Sequence, residues 1–262
     1  MYGALLYAAC ALYVLSILAS FGRFAFPRRE AVHALSLALA WLGAITHLAA
    51  IVGLGLAEQR FPVRNLGEVF SLLSFLAVAV YLVLYLLYRI PWMSMFVLPV
   101  AVVLLLLSPH MPSPRAEQAP LQGPLLYAHT TLVILASALL LGHVIMSLLY
   151  IAQEARLKAK HLSLSSVIPS LSFCDRLGVR MLGAGFLSLT LGILTGALWA
   201  AEARGHFFAW KFPEVFALLT WFIFGMLYET RLTRGWRGRK PALWSLVGFS
   251  LLLAVFVGVA LT

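Results

Sequence analysis

Eight long apolar runs dominate the chain, each closed by charge or proline, at approximately 2–21, 31–57, 67–89, 91–108, 125–151, 181–203, 213–232 and 241–261. A hydrocarbon span needs about 20 apolar residues. With 63% of the 262 residues hydrophobic and 11% charged, the polar surface is too small to enclose such runs in water. A soluble enzyme, a disordered chain and a secreted disulfide scaffold are excluded. Lipid cannot satisfy the free edge of an open sheet, so the runs are read as helices. Pro91, Pro213 and Pro241 open three of them, where a missing N–H costs little. The expected architecture is an all-α polytopic integral membrane protein, with residues 1–262 forming one transmembrane domain of about eight helices.

The excess of basic residues, 19 against 9 acidic, is a topology signal. Arg23, Arg28, Arg29, Arg89, Arg156, Lys158, Lys160, Arg176, Arg180, Arg231, Arg234, Arg237, Arg239 and Lys240 follow spans 1, 3, 5 and 7. The other loops hold Arg60, Arg64, Arg115, Arg204 and Lys211. Cytoplasmic loops carry the Lys/Arg excess, so the first set is expected inside and both termini outside, in a bacterial cytoplasmic (inner) membrane. No aromatic-interleaved basic motif accompanies the charge, and no nucleic-acid partner is expected. The first span lacks a basic segment before it and has arginines after it, as in a permanent helix rather than a cleaved signal. The loop 152–180 is amphipathic in its second half, as an interfacial helix would be.

Cys10 and Cys174 fall at different levels without a C-x-x-C, and no phosphate loop, nucleophile elbow or H-E-x-x-H is present. Histidine is the informative residue. His33 and His47 lie in span 2, and His129 and His143 in span 5; both pairs are 14 residues apart, about four turns or 21 Å of helix. The two helices run in opposite senses, so His47 and His129 fall toward the outer side and His33 and His143 toward the inner side. Ionisable residues within the membrane are costly and usually functional, and paired imidazoles on facing helices are an ordinary means of holding haem iron. The residues alone also allow structural histidines, in a transporter or regulator, or two haems in a transmembrane electron-transfer cytochrome with His33 and His143 holding the second. Trp199, Trp210 and Trp221, with His206, Phe207, Phe208 and Phe216, concentrate around one outer loop. They are read either as an interfacial belt or as an apolar platform for a porphyrin. Glu214 could hydrogen-bond a ligand or the loop backbone, and Arg60, Arg64, Arg115, Arg204 and Lys211 are the outer cations that propionates would need. Span 6 carries Gly183, Gly185, Gly192 and Gly196, a pattern of close helix packing. No nucleophile or general acid–base pair stands in the outer loops, so the sequence leaves enzymatic activity open.

The stretch Cys174-Asp175-Arg176-Leu177-Gly178, then Gly185-Phe186-Leu187 and Leu191 to Ala200, resembles the cytochrome c assembly family of CcsA/HemX-like membrane proteins. So do Ala217 to Trp221, the turn Gly235-Trp236-Arg237-Gly238-Arg239, and Phe61 to Glu68 before span 3. The resemblance implies haem handling in cytochrome c biogenesis, with His129 where the family places an external haem-ligating histidine. Within the family's tryptophan loop Gly205, Trp210 and Glu214 hold, whereas Lys211 takes an acidic position. Glu229 stands where longer members carry a histidine, and no histidine follows His206. The chain is thus closer to the short HemX-like branch. The resemblance implies one haem b on an outer bis-histidine site of His129 and His47, beneath Trp199, Trp210, Trp221 and Glu214. It implies as partners a membrane assembly protein or an apocytochrome, which would bring the thiols for haem attachment.

Overall fold

Backbone polar groups in a bilayer must be satisfied within the chain, and in the computed structural model every apolar run does so as helix. The structure describes residues 2–25, 30–63, 65–111, 123–159 and 169–261. Its α-helices are α1 (Tyr2–Ala25), α2 (Glu30–Glu58), α3 (Leu66–Tyr88), α4 (Ser94–Leu107), α5 (Pro124–Lys158), α6 (Leu171–Arg204), α7 (Phe212–Arg234) and α8 (Arg239–Leu261), and no strand occurs among the described residues. The protein is an all-α polytopic membrane protein.

Seven of the helices are long and apolar enough to cross a membrane. The run at 91–108 differs: its α-helix is confined to the 14 residues of α4, between short 3₁₀ turns at Pro91–Met93 and Ser108–His110. Pro91 and Pro109, in the two flanking turns, explain this, since each removes an N–H from the helical ladder; Pro99 lies inside α4, which continues through it. The α5 and α6 helices also leave fewer residues between them than the 152–180 expected. Residues through Lys158 continue α5, and α6 begins at Leu171, where the Ser170 hydroxyl accepts a hydrogen bond from the Phe173 N–H at 3.3 Å. Charged side chains end an apolar run but not an intrahelical ladder, so both helices extend beyond their apolar parts.

The helices group into two compact units, 1–121 and 122–262. In the first, α1 packs on α2 and α4, and α3 on α2 and α4. Hydroxyls join these helices. Ser16, Ser20, Ser36 and Ser94 form a buried cluster: Ser20 Oγ lies 2.6 Å from Ser36 Oγ and 2.9 Å from Ser94 Oγ, and Ser16 donates to the Ser36 carbonyl at 2.7 Å. Ser74 donates to the Ala101 carbonyl at 2.8 Å. Without a hydrophobic force between helices in lipid, such bonds and small residues hold them together.

In the second unit α5 packs on α6 and α8, and α7 on α6 and α8. The α5–α6 contact is the most extensive among the described residues. Gly178, Gly185 and Gly192 recur every seven residues along α6. A Cβ on them would lie 3.3 Å from Met146 Cβ, 2.9 Å from Leu140 Cδ2 and 2.9 Å from Val133 Cγ2, all on α5. The absence of side chains lets the two backbones approach, as the glycine pattern predicts. Gly183 instead faces Tyr228 of α7.

Candidate functional site

His129 lies in the second turn of α5, and its ring is pressed against α6. Nδ1 is 2.7 Å from the Gly192 carbonyl oxygen, and a Cβ at Gly196 would stand 2.5 Å from the same nitrogen. A carbonyl only accepts, so Nδ1 must carry the proton. In the neutral ring the lone pair is then on Nε2, which has no hydrogen-bond partner among the described residues. Thr195 Oγ1 also donates to the Gly192 carbonyl, at 3.0 Å, so this oxygen is shared.

The surroundings come from the ends of α6 and α7. Trp199 follows Gly192 and Gly196 at helical spacing and so shares their side of α6. Arg204 places its guanidinium 5.1 Å from the Trp199 ring centre and 3.8 Å from Glu214 Oε1. Glu214, in the first turn of α7, accepts from the Ala209 N–H at 2.7 Å and so ties down the loop from α6. Glu214 thus binds the loop backbone, one of the two roles its position suggested. Trp210 adopts a φ of 57°, uncommon for a side-chain-bearing residue, and is 70% exposed with its ring 5.9 Å from that of Phe208. Trp221 is elsewhere. Its indole N–H donates to Thr190 Oγ1 at 2.9 Å, and its ring stacks on Phe186. Those two residues lie well round α6 from the Gly192–Gly196 side, so the helix body separates Trp221 from His129. The structure therefore joins Trp199, Arg204 and Glu214 to one another, on the side of α6 where His129 packs, with Trp210 at the exposed loop.

His143, two heptads further along α5, repeats the His129 arrangement. Its Nδ1 donates to the Gly178 carbonyl at 2.9 Å, but its Nε2 is taken by Ser245 Oγ of α8 at 2.8 Å. The hydroxyl hydrogen must point to that nitrogen, in competition with the Pro241 carbonyl 2.9 Å away. His143 joins three helices in a buried junction, at a small cavity lined also by Tyr150, Asp175 and Arg231.

In the first unit His47 is fully buried. Nε2 lies 3.0 Å from Ser71 Oγ of α3, and Nδ1 lies 3.3 Å from the Tyr13 hydroxyl of α1. Hydroxyls give and accept, so these partners satisfy the ring without choosing its tautomer. His33 Nε2 meets the Tyr85 hydroxyl at 3.1 Å. Of the cations expected on the outer side, Arg60 is bound by Glu58 and, through two bonds of 2.8 and 2.7 Å, by Glu68. The Glu68 hydrogen bonds raise its pKa above the ordinary arginine value. Lys211 is exposed at the start of α7. Arg64 and Arg115 lie outside the described residues, as do Arg28, Arg29, Lys160 and His161.

Ser71, Tyr13, Ser245, Gly192 and Gly196 did not emerge from the sequence as partners of the histidines. One signal was available: Gly178 and Gly192 are 14 residues apart, as are His129 and His143. Equal spacings on two antiparallel helices bring both pairs into register at once.

A family model described as cytochrome C assembly protein matches residues 1–262, the whole chain. The chain belongs to the cytochrome c assembly protein family. Among its relatives are proteins named cytochrome c biogenesis protein CcsA. That of Chlamydomonas reinhardtii is 39% identical over 141 residues, covering 54% of this chain and 39% of the relative. That of Synechococcus elongatus is 40% identical over 106 residues, 40% of this chain and 31% of the relative. That of Prochlorococcus marinus is 44% identical over 87 residues, 33% and 28% of the two chains. The matched stretches thus take up well under two thirds of these relatives' length. Family membership and seven long apolar helices together make this a multi-pass membrane protein of the cytochrome c assembly family.

Proposed function

We propose that this member of the cytochrome c assembly family binds haem b and relays it, and that His129 would hold its iron. The observation that carries the reading is the state of the His129 ring: Nδ1–H is committed to the Gly192 carbonyl, and the Nε2 lone pair is left for a metal. Histidines that ligate metals usually hold an outer hydrogen bond of this kind, which orients the ring and raises its basicity. Trp199 offers a flat apolar face on the same side of α6, and Arg204 and Lys211 are cations of the kind that propionates pair with. These donors fit haem, which when bound would supply an iron centre between nitrogen ligands. The chain's own contribution is to orient the imidazole, hold its proton on Nδ1 and present cations.

His47 is proposed as a second residue that would hold the iron, on sequence grounds. To serve, its ring must release a hydroxyl, Ser71 from Nε2 or Tyr13 from Nδ1. With α4 counted as the eighth crossing, the charge bias of the loops supports an orientation with both termini and the His129 end of α5 outside, here placed in a bacterial cytoplasmic membrane. An apocytochrome is the natural recipient of relayed haem, alone or with a membrane assembly partner, and the thiols that bond to haem would be the recipient's.

An absorption spectrum of the purified protein, with a pyridine haemochrome assay, tests the reading. The expected result is a low-spin b-type spectrum at a single haem per chain. Colourless protein that takes up no added haem would overturn it.

A further inference from the structure

One end of the second unit carries exposed cations that, apart from Arg237, neither the haem reading nor the helix packing uses. α6 begins through Asp175 and Arg176, α7 ends through Arg231 and Arg234, and a turn from Gly235 to Gly238 leads into α8 at Arg239 and Lys240. Asp175 gathers these pieces. Its Oδ2 accepts from Arg231 Nη2 at 2.5 Å and lies 3.4 Å from Arg237 Nε, and Arg231 Nη1 donates to the Trp236 carbonyl at 2.7 Å. The turn is therefore pinned to α6, and the half-buried charges of Asp175 and Arg231 offset each other.

The remaining charge is one-sided. Arg176, Arg234, Arg237, Arg239 and Lys240 are all exposed, and within 171–180 and 229–240 the only acid besides Asp175 is Glu229. Arg239 and Lys240 also sit where the α8 dipole already places positive charge, so the helix itself does not relieve them.

Position decides which anion these cations suit. They stand at the ends of helices able to cross a membrane, the level of lipid phosphates. Leu232, Leu243 and Trp244, close by in sequence, are exposed apolar side chains, and tryptophan favours the headgroup level. A soluble anion would use the cations but leave the apolar residues idle; a lipid uses both.

We infer that this end of the second unit binds anionic phospholipid, with Arg237, Arg239 and Lys240 on the headgroup phosphate and the apolar residues against the acyl chains. The Asp175–Arg231 pair is the brace that holds the turn in place.

The full-length protein in phosphatidylcholine nanodiscs, with and without phosphatidylglycerol, supplies the test. Lipid retention is read by native mass spectrometry and stability by thermal melting. Phosphatidylglycerol should be retained over phosphatidylcholine and raise the melting point. Retention should weaken roughly fivefold per cation removed, the effect expected of one basic side chain near anionic lipid, in Arg237→Gln, Arg239→Gln and Lys240→Gln. Glu202→Gln, exposed at the other end of α6, should leave retention unchanged. Equal retention of the two lipids, or equal retention by wild type and the triple variant, would overturn the inference. So would stabilisation of the phosphatidylcholine sample by millimolar inorganic phosphate alone, which would identify a soluble anion. Should the triple variant fold poorly, the exposed Lys240→Gln single change carries the same prediction.

Discussion

His129 donates its Nδ1 proton to the Gly192 carbonyl, 2.7 Å away and 63 residues later in the chain. That bond determines which nitrogen of the ring can meet a metal, and several expectations depend on it.

Replacing His129 by alanine is expected to remove the low-spin haem signal or convert it to a weakly bound, high-spin form. His47→Ala should change ligation without abolishing uptake if His47 is the second ligand, since His129 would still bind. Absorption spectra of the two variants and the double variant check this. A double variant with the wild-type spectrum would return the histidines to a structural role.

Gly196→Ala should displace the His129 ring, because the new methyl would stand 2.5 Å from Nδ1. Overpacking of this kind costs roughly 1–3 kcal/mol, so lower thermal stability and a perturbed haem spectrum should appear together. Gly3→Ala meets nothing within 4 Å and should change neither.

His143→Ala should lower stability with little effect on haem content. Its two ring nitrogens hold α6 and α8, and the loss of packing and hydrogen bonds is worth about 2 kcal/mol or more. Thermal melting and haem stoichiometry measured on one preparation separate this from a two-haem arrangement, in which haem content would fall.

Asp175→Asn should loosen the α7–α8 turn, costing roughly 1–3 kcal/mol, because Arg231 would keep its half-buried charge without a carboxylate. Arg231→Gln in the same background should cost less than it does alone. A double-mutant cycle by thermal or denaturant unfolding gives the coupling.

Reporter fusions at either terminus should report an outside location, and a reporter inserted in the 160–168 loop an inside one. The opposite pattern would reverse the orientation read from the arginines and lysines.

The helices were legible because each apolar run meets the length that a bilayer demands, and their observed ends lie within a few residues of the apolar boundaries for α2, α3, α7 and α8. α4, α5 and α6 departed from the apolar pattern for backbone reasons: prolines shorten one, and uninterrupted hydrogen bonding extends the others past their charges. The histidines were legible as costly intramembrane residues at matched spacing. Their partners were not, since serine, tyrosine and glycine in a membrane helix give the same local signal whether or not a histidine rests against them.

By itself, then, the sequence determined an all-α membrane protein, the order and approximate extent of its helices, and the few polar residues within them, because solvent and backbone impose those requirements residue by residue. Tertiary structure alone decided what each histidine has to offer. Among the described residues His129 Nε2 meets no partner, His143 is closed by Ser245, and His47 is held by Tyr13 and Ser71. A ring nitrogen is free or occupied only according to what the neighbouring helices bring to it, and those partners come from positions 24 to 102 residues away.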